Sequence, residues 1–437
     1  MTGTRGDAVV TMEQAGMTAA PPGGGQKVTF NPFSAAFRRD PYETYRRLRE
    51  NAPTYRIMGS WLLSRYPDII RVLRDRRFSS SRIPDLVKRG GRGLNPSESY
   101  HDYKGIEGFI AKAIVFTENP DHSRLRRLTN NIFDPDAVLA ERPRIARIAR
   151  DLVAGSAADG GMELIEDYAD KIPMYLMCER LGVPWEVGPS LRDWAHEARM
   201  LLDPTLMSRD DYVRVEGVMQ EALSYLQGVI EERKRKPGHD VISILLSNRD
   251  KEDRLSDEEV ALLCIMTFVA GHETTKHLIG NGVLALLQHP DQAAKLRVDP
   301  SLADNAIEEV LRYDPPLQQT KRVAIADVEF NDVTIREGNQ VLLLLGSANH
   351  DPEIFPEPER FLIDRENASA NIGFGYGMRA CLGGKMAHLE AAVACETLFC
   401  GDYRIELAED HLEWQDQAVI LRGLRRLPVR VAHDGAV

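Results

Sequence analysis

Phe374-Gly375-Tyr376-Gly377-Met378-Arg379-Ala380-Cys381-Leu382-Gly383 decides how this 437-residue chain is read. Three glycines and an arginine crowd one cysteine just before an apolar run with helical spacing. Glycine tolerates positive φ and lets the backbone approach a flat ligand closely. A thiolate at a helix N-terminus gains from unpaired N–H groups and the positive end of the dipole. Most cysteines in apolar settings are inert core residues, but this spacing prepares Cys381 to be an anion.

Working outward, a last helix is expected from Cys381 and strands from about Tyr403. Upstream, residues 322–349 carry strand-like runs separated by turns at Asn331-Asp332 and Glu337-Gly338-Asn339. From Asp121 to about Tyr313 the pattern is helical, with breaks near Pro184, Asp203-Pro204, Pro237-Gly238 and His289-Pro290. Nearer the N-terminus Pro41 opens a helix, and short alternating runs near Tyr55 and from Trp61 to Ser64 read as strands. The expected fold is α+β and mostly helical: one domain over residues 30–437, after a flexible extension of residues 1–29. Residues 79–119, rich in Gly, Ser and Pro, are too long for a simple connection, and residues 81–114 form a candidate substrate lid.

Composition narrows the function classes. An apolar fraction of 43% suits a well-packed globular protein, and the net charge of -11 comes from interspersed residues with no basic arm for nucleic acid. The five cysteines (Cys178, Cys264, Cys381, Cys395, Cys400) are odd in number and contain no C-x-x-C pair. That argues against a disulfide scaffold or zinc ribbon and fits a reducing cytoplasm. The extension lacks a signal-peptide core, and the apolar stretch 261–271 is too short to span a bilayer, so no membrane attachment is expected.

Three other constellations carry chemistry. Glu309 and Arg312 are three apart, so they share a helix face and can form a charge-assisted pair. Ala270-Gly271-His272-Glu273-Thr274-Thr275 places an acid and a hydroxyl after two small residues in a long predicted helix. A threonine hydroxyl there can bond to the carbonyl a turn earlier, bending the helix and making room for a ligand. His122 and Arg126 lie four apart on one face, a pair suited to carboxylates of a bound cofactor.

Residues 374–383 match, at every fixed position, F-G-x-G-x-[HR]-x-C-x-G, and so the chain resembles the cytochrome P450 family of the soluble bacterial, ferredoxin-dependent type. The resemblance implies the cytochrome P450 fold, with a helix-rich body and a small β-rich region, and haem b (iron protoporphyrin IX) ligated by Cys381. It implies that Phe374, which packs beside the cysteine, Gly375 and Gly383 bind the haem, and that Arg379, His122, Arg126 and Arg322 contact haem propionates. Ala270 and Gly271 would open a groove over the haem, while Glu273 and Thr274 would form the acid–alcohol pair that passes protons to iron-bound dioxygen. Glu309 and Arg312, with Arg360 as third member, would brace the cysteine loop.

The implied activity is hydroxylation or epoxidation of a small organic substrate in polyketide, peptide, aromatic or terpene tailoring, free or tethered to a carrier protein. Oxidative coupling or desaturation by the same haem is an alternative, and a non-catalytic haem sensor or scaffold a remoter one. Substrate-pocket candidates are Leu262, Met266, Val269, Gln318, Gln319 and Thr320, with the lid and residues 201–207. Electrons would come from a ferredoxin and its reductase, docking on a patch of Arg71, Arg74, Arg124, Arg127 and Lys385. A monomeric protein is expected.

Overall fold

The helical spacing read between Asp121 and Tyr313 becomes a stack of helices around one long helix in a computed structural model, which describes residues 18–19, 28–57, 59–81, 103–202, 207–247, 254–416 and 418–433. The helices used below are α1 (Tyr42–Asn51), α2 (Tyr66–Arg74), α3 (Lys104–Lys112), α4 (Asp121–Thr129), α5 (Arg142–Ala158), α6 (Lys171–Leu181) and α7 (Gly188–Ala198). After them come α8 (Arg209–Arg235), α9 (Asp257–Gln288), α10 (Ala303–Tyr313) and α11 (Gly384–Phe399). The 32-residue α9 starts at a capping box, where Ser256 accepts from the Glu259 N–H and Glu259 accepts from the Ser256 N–H, and it ends just before Pro290. It is apolar nearly all round, as a helix must be when α6, α7, α8 and α11 surround it. Its glycines and threonines do not interrupt it.

The strands of the two sheets used below are β1 (Thr54–Ile57), β2 (Ser60–Leu63), β3 (Phe78–Ser79), β4 (Gly161–Glu163), β5 (Gln319–Ala324), β6 (Gln340–Leu344), β7 (Tyr403–Leu407) and β8 (Pro428–His433). One sheet has the order β1-β2-β6-β5-β3, with β6 parallel to β2 and antiparallel to β5, so that Arg322 stands opposite Val341. A second has the order β7-β8-β4. This sheet-forming material sits beside the helical body, as an α+β arrangement requires.

Local readings differ from the structure in three places. The run expected to stay extended to Ala348 turns helical at Leu345–Ala348, because an unbroken apolar run does not distinguish buried strand from buried helix. Val28 and Thr29, assigned to the extension, pair with Thr18 and Ala19, and the Tyr55 hydroxyl donates to the Val28 carbonyl at 3.2 Å. The last helix begins at Gly384, three residues beyond Cys381. Most of the lid (82–102) and residues 203–206 of the second pocket segment lie outside the described residues.

Candidate active site around Cys381 and the central helix

The cysteine loop owes its shape to two glycines with left-handed backbone, Gly375 at φ 75° and Gly377 at φ 69°. The loop closes where the Cys381 N–H donates to the Phe374 carbonyl at 2.8 Å. A Cβ on Gly384 would lie 3.3 Å from the Phe374 ring and 3.6 Å from the Cys381 Cβ, so the first turn of α11 rests directly on both residues. Desolvation by the protein packed around it pushes the Cys381 thiol up, and the Gly383 N–H and the Arg126 charge pull it back. Cys381 is nonetheless exposed, whereas Cys178, Cys264 and Cys395 are buried. Ala270 is likewise exposed in the midst of the otherwise buried α9.

Cations gather near the loop. Arg379 donates to the Thr117 carbonyl at 2.7 Å and pairs with Glu118 at 2.7 Å, and Arg126 donates to the Ala380 carbonyl at 2.9 Å. Arg322, only 8% exposed, has its own Lys321 carbonyl and the Thr320 hydroxyl as partners. Burial and the repelling charge of Arg379 push its guanidinium down to about 10, with Glu118 opposing. The same causes, burial first and then Arg379 and Arg126, lower the His122 imidazole. A nearly buried arginine opposed by its neighbours is chemically incomplete without a further anion. The cluster therefore fits a flat group bearing carboxylates, and Cys381 fits a metal at its centre.

On α9 the Thr274 hydroxyl donates to the Ala270 carbonyl at 2.6 Å, the bond expected of a threonine one turn on. Glu273 lies 2.9 Å from His196 Nδ1 and 2.9 Å from Arg199 Nε; the second contact is an ion pair whose angles miss those of a hydrogen bond. Burial, the largest influence, raises this carboxyl. The His196 hydrogen bond and the Arg199 and Lys276 charges outweigh it and bring the group to about 2. Two neighbouring residues face other elements. A Cβ on Gly271 would lie 3.4 Å from the Met177 methyl of α6, an ordinary contact. His272 points to Asp170, with Nε2 3.2 Å from its carbonyl, and stacks on Phe268.

Glu309 and Arg312 meet as their spacing predicts, at 2.7 and 2.9 Å with both side chains fully buried. The third member is Arg365, whose Nε lies 3.1 and 3.0 Å from the two Glu309 oxygens. Arg360 corrects the expectation: its exposed side chain pairs with Glu357, and only its carbonyl joins the network, accepting from Arg312 and Arg365. Arg365 sits in a solvent-typical stretch, Asp364-Arg365-Glu366, and its sequence carries no local signal of burial. Asn349 links this network to the cysteine loop, donating to the Leu311 carbonyl and accepting from the Ile372 N–H at 2.9 Å.

The pocket candidates divide. Leu262, Met266 and Val269 are buried in one apolar cluster with Phe109 of α3 and Leu226 of α8. Gln318 is a brace, since Tyr45 donates to its Oε1 at 3.0 Å and its Nε2 donates to the Pro315 carbonyl at 2.9 Å. Gly346 is glycine for this reason: a Cβ there would stand 2.3 Å from the Gln318 oxygen. Gln319 is buried at the start of β5, opposite Leu344, and Thr320 is half-buried. Sequence reasoning missed residues 420–422, which pair with 316–318 through Gln318 N–H to the Ile420 carbonyl at 2.9 Å and Arg422 N–H to the Pro316 carbonyl at 2.7 Å.

In the expected basic patch, Arg124 is committed to Glu259 at 2.7 Å. Arg71 covers Phe330 and Arg74 covers Tyr376, while Arg127 and Lys385 are exposed.

These features define a site centred on the cysteine of a glycine loop, with the cations Arg126, Arg322 and Arg379 beside it. Cytochrome P450 is the family whose model matches residues 199–416. The biotin biosynthesis cytochrome P450 of Bacillus subtilis strain 168 is 37% identical over 91% of this chain and 97% of its own. The vitamin D(3) 25-hydroxylase of Pseudonocardia autotrophica is 36% identical, covering 92% and 97%. A crystal structure of P450BioI in complex with an acyl carrier protein ligated to hexadec-9Z-enoic acid superposes with a TM-score of 0.82 at 35% identity, over 91% of this chain and 99% of that one. The chain belongs to the cytochrome P450 family and is a monooxygenase of the haem-thiolate class. No helix among the described residues is long and apolar enough to cross a membrane.

Proposed function

We propose that the protein is a cytoplasmic, monomeric enzyme, a single domain from about residue 30 onward, that hydroxylates or epoxidises a small organic substrate in natural-product tailoring. The observation that carries this is Cys381, exposed at the centre of its glycine loop and accompanied by His122, Arg126, Arg322 and Arg379. These four residues would hold the propionates of haem b, and Cys381 its iron. When bound, the haem supplies the activation of dioxygen.

The chain's own residues then set conditions around it. Gly383 N–H and Arg126 favour the thiolate at Sγ. Ala270, open on α9, leaves room beside its carbonyl, where Thr274 keeps its hydroxyl proton. Glu273 moves protons between that hydroxyl and His196, whose ring is 41% exposed and so in contact with water. Arg199 keeps the carboxylate ionised until it turns inward. Leu262, Met266 and Val269 would supply apolar surface for substrate. A carrier-tethered acyl chain is among the substrates this site suits, by likeness to the complex with a ligated carrier protein. A ferredoxin, with its reductase, would dock beside Arg71, Arg74, Arg127 and Lys385.

The test is the absorption of the reduced, carbon-monoxide-bound protein. A thiolate-ligated spectrum that is lost in Cys381→Ser is expected, and a histidine-type spectrum or an unchanged variant would overturn the assignment. For the relay, Thr274→Ala should release severalfold more peroxide per electron consumed, and undisturbed coupling would remove Thr274 from it. Candidate substrates are screened by spin-state shift.

A further inference from the structure

Away from the site described above, a cavity of about 30 Å³ lies where α6, α9 and α11 meet, with Arg180, Thr267, Met386 and Glu390 in its wall. Glu390, on α11, is 5% exposed, and its Oε2 has no hydrogen-bond partner in the protein. Arg180 directs donors elsewhere: Nη1 donates to Glu141 at 3.1 Å and Nη2 to the Ile132 carbonyl at 2.7 Å. Thr267 donates to the Leu263 carbonyl at 2.7 Å, which leaves its oxygen free to accept. A cavity above roughly 10–15 Å³ with polar partners suffices for one ordered water.

We infer that this cavity is a hydration site for one water molecule, bridging Oε2 of Glu390 on α11 to the Thr267 hydroxyl on α9, with Glu390 as the proton-holding group of the helix that follows Cys381. Burial raises its carboxyl to about 8; Arg180 from α6 opposes the rise and Glu141 adds to it. At neutral pH the group is therefore an acid whose O–H donates to the water, which donates in turn to Thr267.

The consequence lies along α11. At about 1.5 Å per residue, Glu390 stands roughly 9 Å along the axis from Gly384. A protonated Glu390 spares this helix a buried negative charge, and its ionisation adds one on the same helix that follows the Cys381 thiolate. The reduction potential of the group that Cys381 binds then falls as pH rises through that ionisation. This last step rests on Cys381 being the haem ligand; the hydration site itself does not.

Infrared difference spectra of the full-length protein, wild type minus Glu390→Gln, test the site directly. The expected result is the carbonyl stretch of a protonated carboxyl group near pH 6 that fades as pH rises through about 8, and that shifts in Thr267→Val, which removes the water's acceptor. No such band, or a band indifferent to Thr267→Val, overturns the inference. Thr267→Val, compared with wild type alone, carries the test where Glu390→Gln does not fold.

In the haem-loaded protein, spectroelectrochemistry between about pH 6 and 9 should show a potential that falls with pH in wild type and is flatter in Glu390→Gln. Equal slopes would overturn the proton-holding role. Failure of the haem assignment is read separately, as a Cys381→Ser variant that keeps its haem spectrum while the infrared band persists.

Discussion

Glu273 and Glu390 are both glutamates on apolar core helices, both buried, and their protonation equilibria run in opposite directions, to about 2 and about 8. Burial raises each carboxyl. The difference is what else can reach it. On α9 the imidazole of His196 and the guanidinium of Arg199 each take one oxygen of Glu273. Beside Glu390 on α11, the cation Arg180 of α6 turns N–H groups to Glu141 and the Ile132 carbonyl, and Glu390 Oε2 has no hydrogen-bond partner. An arginine in the neighbourhood does not ionise a buried acid unless its donors reach the carboxylate, and two acids tuned apart can do different work in one molecule.

The largest test is titration of stability. Glu390 has its folded-state pKa raised from an ordinary 4.5 to about 8, so the native state holds a proton that the unfolded state releases. Stability should therefore fall as pH climbs from about 4.5 to 8, by up to roughly 5 kcal/mol at about 1.4 kcal/mol per unit. Urea unfolding across that range should show the slope in wild type and a flatter line, with higher stability near pH 8, in Glu390→Gln. Equal slopes would break the contrast.

Glu309 extends the comparison, since two guanidiniums hold its carboxylate where no water reaches. Arg312→Ala leaves that charge buried and short of partners and should cost roughly 3–5 kcal/mol in the same unfolding experiment.

On the acid side Glu273 behaves inversely to Glu390. Its pKa is depressed, so its contribution of roughly 3 kcal/mol is complete above about pH 4.5 and lost as pH falls toward 2. Glu273→Gln should remove that acid-side slope. Arg199→Ala should raise the pH at which that loss is complete and shrink the loss, and an unchanged low-pH limit would mean that Arg199 does not set it.

The smallest effect is expected at Arg360. Its exposed pair with Glu357 predicts that Arg360→Ala changes stability by less than about 0.5 kcal/mol, while Arg365→Ala falls in the range given for Arg312.

Legibility follows the distance along the chain over which a contact is made. The left-handed glycines of the cysteine loop, the Glu309–Arg312 pair and the Thr274 bond to the Ala270 carbonyl all lie within a turn or a loop, so spacing alone exposes them. Arg365 reaches Glu309 across 56 residues, His196 reaches Glu273 across 77, and Tyr45 locks Gln318 across 273. No local pattern distinguishes those partners from solvated neighbours, which is why Arg360 was expected in the place of Arg365 and Gln318 in the pocket.

By itself the sequence determined the helix-rich α+β class, the family and the cysteine loop, because periodicity, glycine conformation and local pairing are properties of short segments. Only the tertiary structure decided which cations meet which buried acids, since desolvation acts on every buried carboxyl alike and the outcome depends on donors brought from distant helices. Glu273 and Glu390 look alike as letters, and their neighbours set them apart.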